Sequence, residues 1–398
     1  VMPYTFEVNT VTGNYHITKY CGSEAKVSIP EEYRGKAIDT INTLAFSAAT
    51  SITELYIPDT VTKIEKNAFN ACDNIETIRI PFTGESLTAT NDYQGKGNAS
   101  FGYIFGAESG EIQKAYVPVN LHKVIISDQV KVIPSYAFYG CGQITHIKTP
   151  NQLHGINENY AFYGCGITEF DFPETLTNID SRAFSSSLKR VNISNLNAFL
   201  LCNSQSGIGG GNRDVGFGGN AELYLNGKLV TEVRFPDGIK NIQPIIAGIS
   251  SVKKIVIPDS VTNMRTSCGA FQGCKNLEEV IFEGTPQINE MWGTFNGCIS
   301  LKSVHIPASV TYFTNQPFEG CNFESVYYDG TLEDWCKTDF LSIDSSPMPY
   351  TERFYYKKEN GYEELIDAVI PETISQINAG VLSGYQALHR VSFHEGVT

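Results

Sequence analysis

The chain has 398 residues with 29 Lys and Arg against 43 Asp and Glu, a formal net charge of −14, and it has no run of basic residues longer than two. That balance leaves no basic footprint for nucleic acid, and no stretch approaches the ~20 apolar residues that cross a bilayer, so no membrane insertion is expected within this segment. With 18% charged residues beside 21 Tyr and 23 Phe, the composition is that of a folded, aromatic-rich surface and not of a disordered tail.

The chain opens on VMPYTFEV without a basic leader followed by an apolar core. It ends on VSFHEGVT, in the middle of a repeat, so the sequence reads as a piece of a longer protein. Phe6–Val8 and Tyr15–Thr18 flank a Thr-Gly-Asn turn and predict a β-hairpin. Residues 1–30 are therefore expected to act as a cap over the first open layer of the remaining chain.

From residue 31 onward the sequence is periodic. The stretch IPDTVTKIEKNAFNACDNIETIRIP, from Ile57 to Pro81, recurs along the chain, and a period of about 23 residues signals a stacked solenoid. Each unit has a strand of the form L-x-x-V-x-I-P, with alternate residues buried and a proline setting the turn. A return segment, V-x-x-I-x-x-x-A-F, completes the coil. Repeats are expected over 31–81, 117–194, 223–328 and 358–398 of one continuous solenoid. About thirteen strand copies at ~4.8 Å spacing predict a stack roughly 60 Å long. In two copies the Phe position is taken by Ile246 and Leu382, swaps that roughly conserve volume.

Six of the ten cysteines lie three residues after the repeating Phe: Cys72, Cys141, Cys165, Cys274, Cys298 and Cys321. Their shared phase predicts a column of buried thiols rather than a disulfide framework. Cys21, Cys202, Cys268 and Cys336 fall outside that phase, and their redox state is left open. Three insertions, at 82–116, 195–222 and 329–357, break the rhythm and are expected to emerge as side loops. The second and third read as copies of one module, pairing Phe199 and Cys202 with Trp335 and Cys336.

Catalytic and metal motifs are scarce. GIGGGN at 207–212 lacks the following Lys-Ser or Lys-Thr of a phosphate loop and reads as a flexible loop. His122, His146 and His305 occupy different repeat phases, so no metal site is expected, and no cofactor either. No nucleophile elbow, HExxH or CxxC is present. Acids near Asp329–Trp335 leave a carboxylate pair open to question; two carboxyls about 5–10 Å apart in a cleft would mark a glycan-active enzyme.

The outward face of the strands says more. Strand period places two rows there. One row reads Glu169, Arg190, Glu232, Lys254, Glu279 and sets register by alternating charge. The other reads Tyr56, Arg79, Ile125, Lys148, Asp171, Asn192, Arg234, Val256, Ile281, His305, Tyr327 and turns apolar from Val256 onward. Such a strip marks either a recognition surface or a face that an inserted loop covers.

The repeated motifs IPSYAFYGCGQITHIKTP, YAFYGCGITEFDFP and AFQGCKNLEEVIF, with the opening ITKYCGSEAKVSIPEEYRGKAIDTI and the insertions FGYIFGA and YYDGTLEDWC, resemble the BspA-type leucine-rich repeats of surface proteins from host-associated bacteria and some protists. The resemblance spans essentially the whole chain. It implies a right-handed, β-rich leucine-rich repeat solenoid and an exported, cell-surface or secreted protein that binds host or microbial ligands, with no shared catalytic residue.

The resulting expectation is a non-enzymatic recognition or adhesion protein that engages an extracellular protein or glycan through its concave strand face and inserted loops. Val256, Ile281, His305 and Tyr327 are the expected strand contacts, with Trp335 and Tyr356 as loop contacts. A spacer stalk of a larger surface protein is the second reading, and a glycan-active enzyme the third.

Overall fold

The computed structural model describes residues 2–156, 159–179, 182–184, 188–204, 220–264 and 269–397. The GIGGGN loop and Cys268 lie outside them. The chain forms a β-solenoid that divides into two compact units, residues 1–194 and 195–398.

The first unit shows how the repeat becomes a coil. Ile78 and Ile80 are buried in Thr77–Ile80 and alternate with half-buried Thr77 and Arg79, and the strand pairs in parallel with Glu54–Tyr56 on one side and Lys123–Ile126 on the other. Five such strands make one sheet, from Lys26–Ser28 to His146–Lys148. A second, narrower face is built from two-residue strands such as Val132–Ile133, Gly155–Ile156 and Asn178–Ile179, also parallel. Between them the return segment is hydrogen-bonded from coil to coil: the Phe46, Phe138 and Phe162 N–H groups donate to the carbonyls of Ala68, Ala161 and Ala183. Each coil thus satisfies its backbone through its neighbours.

Phenylalanine fills the interior. Tyr20 of the entry hairpin stacks on Phe46 at 5.0 Å, and Phe46 lies 4.9 Å from Phe69. Further along, Phe138, Phe162 and Phe184 stack at 5.6 and 5.3 Å with nearly parallel rings. Between these runs the first insertion supplies two rings of its own. Phe101 and Phe105 are buried, with Phe105 6.3 Å from Phe69 and Phe101 5.2 Å from Phe138. The Phe69 N–H donates to Ile104 O and the Phe101 N–H to Ala137 O. This insertion is accordingly an enlarged coil and not only a side loop, although Leu87 and Tyr93 do project into solvent.

The hairpin at the start pairs Tyr4–Val8 with Tyr15–Tyr20 and continues in parallel into Lys36–Ile41. Its turn is pinned by Asp39, a 4% exposed carboxylate that accepts hydrogen bonds from Asn9, Thr12, Asn14 and Thr40. Burial alone would raise the Asp39 pKa, but these four donors outweigh it and hold it below the ordinary value.

The second unit repeats the plan. Phe271, Phe295 and Phe318 follow one another at 5.8 and 6.4 Å, and Ile246 sits fully buried in the Phe register, its carbonyl accepting from Cys274 Sγ at 3.3 Å. In the last copy Leu382 keeps that register, with the Tyr385 N–H donating to its carbonyl, but it is only half-buried.

The column of thiols is present. All six cysteines of the repeat phase are buried and unbridged. Cys72, Cys298 and Cys321 donate to the carbonyls of Phe46, Phe271 and Phe295 in the preceding coil, at 3.0–3.3 Å. Burial pushes Cys72 up to about 11 and Cys165, Cys274 and Cys321 up to about 12. Cys202 and Cys336 are buried free thiols as well, whereas the thiol of Cys21 is free and exposed.

Candidate functional site

The strand faces carry the two rows in the expected register. In the second unit Arg234, Val256 and Ile281 are successive ladder partners, and so are His305, Tyr327 and Tyr355. Two separate sheets are involved: among the described residues no strand pairing joins Ile281 to His305.

The expected contact residues divide between surface and interior. Val256 is 7% exposed and is not a surface contact. Arg234, one strand before it, reaches Glu283, just past the strand after it, with Nη2 to Oε2 at 2.8 Å; that ion pair bridges the strand on which Val256 lies. Ile281 is half-buried at the edge of its sheet. His305 and Tyr327 lie side by side, rings stacked at 4.7 Å and 10°.

Trp335 and Tyr356 are corrected too. Trp335 is fully buried. Thr331 and Asp334 form a reciprocal capping box that starts the short helix Leu332–Cys336. This directs the indole inward against Phe354 (4.6 Å), Tyr328 (5.0 Å) and Phe340 (5.5 Å), its N–H donating to Val381 O at 3.0 Å. Tyr356 is 6% exposed because Phe354 and Tyr356 share the inward phase of their strand. Its hydroxyl reaches Glu363 at 2.6 Å.

The two later insertions do share a plan, with a different correspondence of cysteines. Asn195 caps Leu196–Leu200 as Thr331 caps Leu332–Cys336. Phe199 therefore matches Trp335, Leu200 matches Cys336, and Cys202 matches Thr338. The last two both donate their N–H three residues back, to Phe199 O and Trp335 O.

Sequence reasoning missed two residues of the site. Tyr355 extends the stack, 4.8 Å from Tyr327 and tilted by 12°. Tyr362 arrives by a hairpin: Phe354–Lys358 turns back into Gly361–Glu364, antiparallel. This sets the Tyr362 ring across His305 and Tyr327 at 5.6 and 5.2 Å, close to perpendicular. Its hydroxyl donates to Asp329 Oδ1 and lies 3.3 Å from His305 Nδ1, which is itself 3.2 Å from Asp329. Burial, then that carboxylate, drives the Tyr362 pKa far up, so the phenol stays protonated. The FYY run offered the only signal for Tyr355; nothing local marked Tyr362.

The three rings stand in face-to-face register, His305 exposed and Tyr327 and Tyr355 half-buried, with each inner face taken by a neighbour. The acids nearby are committed as well. Asp329 holds Tyr362, Asp334 caps its helix, and Glu333 pairs with Lys337 at 2.7 Å. Among the described residues no three His, Cys, Asp or Glu side chains converge as a metal site, and no helix is long and apolar enough to cross a membrane.

Among solved structures, the chain is similar to a leucine rich cell surface protein from Faecalibacterium prausnitzii, at 21% identity over 99% of this chain and 94% of that one, TM-score 0.40. It is also similar to the pneumococcal vaccine antigen PcpA, at 15% identity over 90% and 93%, TM-score 0.42. A third is a leucine-rich repeat protein from Bacteroides ovatus, at 18% identity over 85% and 98%, TM-score 0.33. No curated protein matches the chain. The family described as BspA type Leucine rich repeat region matches in six copies over residues 14–95, 112–204 and 221–345. With most of its length matched, and with coils, phenylalanine ladder and thiol column in place, the chain belongs to the BspA-type leucine-rich repeat family.

Proposed function

We propose that this chain is a recognition protein of the cell surface or the secreted space, without catalytic activity of its own, and that it binds an extracellular protein through the aromatic strand face of its second unit. The observation that carries this reading is the in-register stack of His305, Tyr327 and Tyr355 with Tyr362 laid across it.

Such a strip supports a protein ligand over a glycan. A sugar platform needs open ring faces, and within the stack both faces of Tyr327 and one face each of His305 and Tyr355 are already taken. What remains is a flat surface of aromatic rims, phenol oxygens and an imidazole, already ordered before binding. Tyrosine side chains of this kind dominate protein interfaces, since they present large area at small entropic cost. The engagement of Asp329, Glu333 and Asp334 in structural contacts supports a non-catalytic reading of that loop.

The test is an array of extracellular matrix proteins and glycans probed with the wild type, Tyr327→Ala and Ile281→Asp. The reading expects protein spots that fade at least tenfold with Tyr327→Ala, and a smaller loss with Ile281→Asp. Undiminished binding by folded Tyr327→Ala would discard the strip as the contact surface, and glycan spots that fade instead would reassign the ligand class.

A further inference from the structure

The hairpin that delivers Tyr362 has a second side. Its register pairs Tyr355 with Glu364, Tyr356 with Glu363, Lys357 with Tyr362 and Lys358 with Gly361, and the Leu365 N–H donates to Phe354 O at 2.8 Å. Antiparallel ladders alternate bonded and non-bonded pairs. Glu363 and Gly361 therefore spend their backbone groups on Phe354–Lys358, while those of Tyr362 and Glu364 point the other way. The Glu364 carbonyl takes the Ile366 N–H. The Tyr362 N–H, the Tyr362 carbonyl and the Glu364 N–H have no hydrogen-bond partner among the described residues. Gly361–Glu364 is also the terminal strand of its sheet.

A groove of about 830 Å³ runs beside that edge, between the hairpin, the start of the Leu332–Cys336 helix and the next coil. Val369 of the next coil is 66% exposed. Four carboxylates line the groove, Glu333, Glu359, Glu363 and Asp367, against Lys357 and Lys358. Lys358 is held by Glu363 and Glu333 by Lys337; Glu359 and Asp367 make no ion pair among the described residues.

Exposed sheet edges are usually blunted by shortness, charged side chains, proline or a bulge. The four-residue strand Gly-Tyr-Glu-Glu carries two acids and no lysine or proline. Its acids repel a second copy of the same edge and attract a basic chain. We propose that Gly361–Glu364 takes up an extended, basic segment of a partner protein as an added strand, main chain to main chain, with alternate residues packing toward Val369. The edge uses the backbone of Tyr362, whose ring lies across His305 and Tyr327, so the two readings share that residue and are told apart by which amides shift.

The experiment uses the full chain, labelled with ¹⁵N, and an acetylated, amidated hexapeptide of alternating Val and Lys. Saturable binding is expected, with amide shifts at Tyr362, Glu364, Asp367 and Val369. The double variant Glu359→Lys with Asp367→Lys should bind at least tenfold more weakly at an unchanged unfolding midpoint. N-methylation of one alternate set of peptide residues should abolish binding, and of the other set leave it intact. The proposal is overturned by absence of saturable binding at millimolar peptide, by equal sensitivity to both N-methylated sets, or by shifts confined to the His305–Tyr327 row. Equal binding of an alternating Val and Glu peptide would overturn it as well.

Discussion

The same ladder position is written in two chemistries. In the first unit it carries Tyr56, Arg79, Ile125, Lys148, Asp171 and Asn192, and Arg79, Asp171 and Asn192 are engaged by neighbouring side chains. Arg79 lies 4.8 Å over the Tyr56 ring and pairs with Asp59 at 2.6 Å. Asn192 accepts from Arg190 at 2.7 Å and donates to Asp171 at 2.8 Å. In the second unit the position carries Arg234, Val256 and Ile281 and, in the next sheet, His305, Tyr327 and Tyr355, which stack. The fold fixes which side chains line up every ~4.8 Å; the residue type decides whether the line is closed on itself or offers apolar rims to a partner.

The comparison depends first on the stacks being rigid. Phe295→Ala, in the interior of the second unit, is expected to cost about 3–5 kcal/mol, seen as a lower urea midpoint. Cys298→Ser should cost about 1–3 kcal/mol by placing a hydroxyl where the thiol is fully buried. Cys298→Ala should cost less, and the reverse order would mean that the column is not a packed apolar interior. In the native protein a maleimide reagent should label Cys21 and spare the six ladder thiols, whose burial keeps them protonated.

Acid separates the units in a second way. The Asp39 pKa is depressed in the folded first unit, so its contribution is complete above the unfolded carboxylate value, near 3.8, and is lost as pH falls through the folded value. Asp39→Asn should flatten that acid-side loss in the first unit and leave the second unit's midpoint unaltered. Exchange of hairpin amides, followed against pH, reads this directly. The smallest effect is expected from Ala71→Gly. Residue 71 is left-handed at φ 56°, where equivalent positions hold Gly140, Gly164, Gly273, Gly297 and Gly320 at 70–79°. Relief of that strain should raise first-unit stability by up to about 1 kcal/mol; a loss would show that the Ala methyl is packed.

Much of this was legible because a strand has period two. The row Arg234, Val256, Ile281 and the pair His305, Tyr327 come from counting alone, and so does Ile246 in the place of Phe. Exposure was not legible in the same way. Val256 is hidden because Arg234 and Glu283 meet beyond its strand, a contact 49 residues apart in sequence. Phase failed where the repeat was irregular: in FYYKK either tyrosine could face inward, and Phe354, aligned with Val326, decides for Tyr356. Trp335 was misread because a five-residue helix shows too little periodicity to reveal its buried side. The rings Phe101 and Phe105 sat inside a segment whose Gly, Ser and Asn content spoke for a loop, yet packing drew them into the ladder.

The most direct test sets the two rows against each other. Tyr327→Ala and Arg79→Ala, each checked for an unchanged unfolding midpoint, would be applied to the same array of matrix proteins and glycans. Loss of protein binding at least tenfold with Tyr327→Ala, beside wild-type binding with Arg79→Ala, is the expected result. Full binding by Tyr327→Ala, or equal loss in both variants, would contradict the assignment of recognition to the aromatic row.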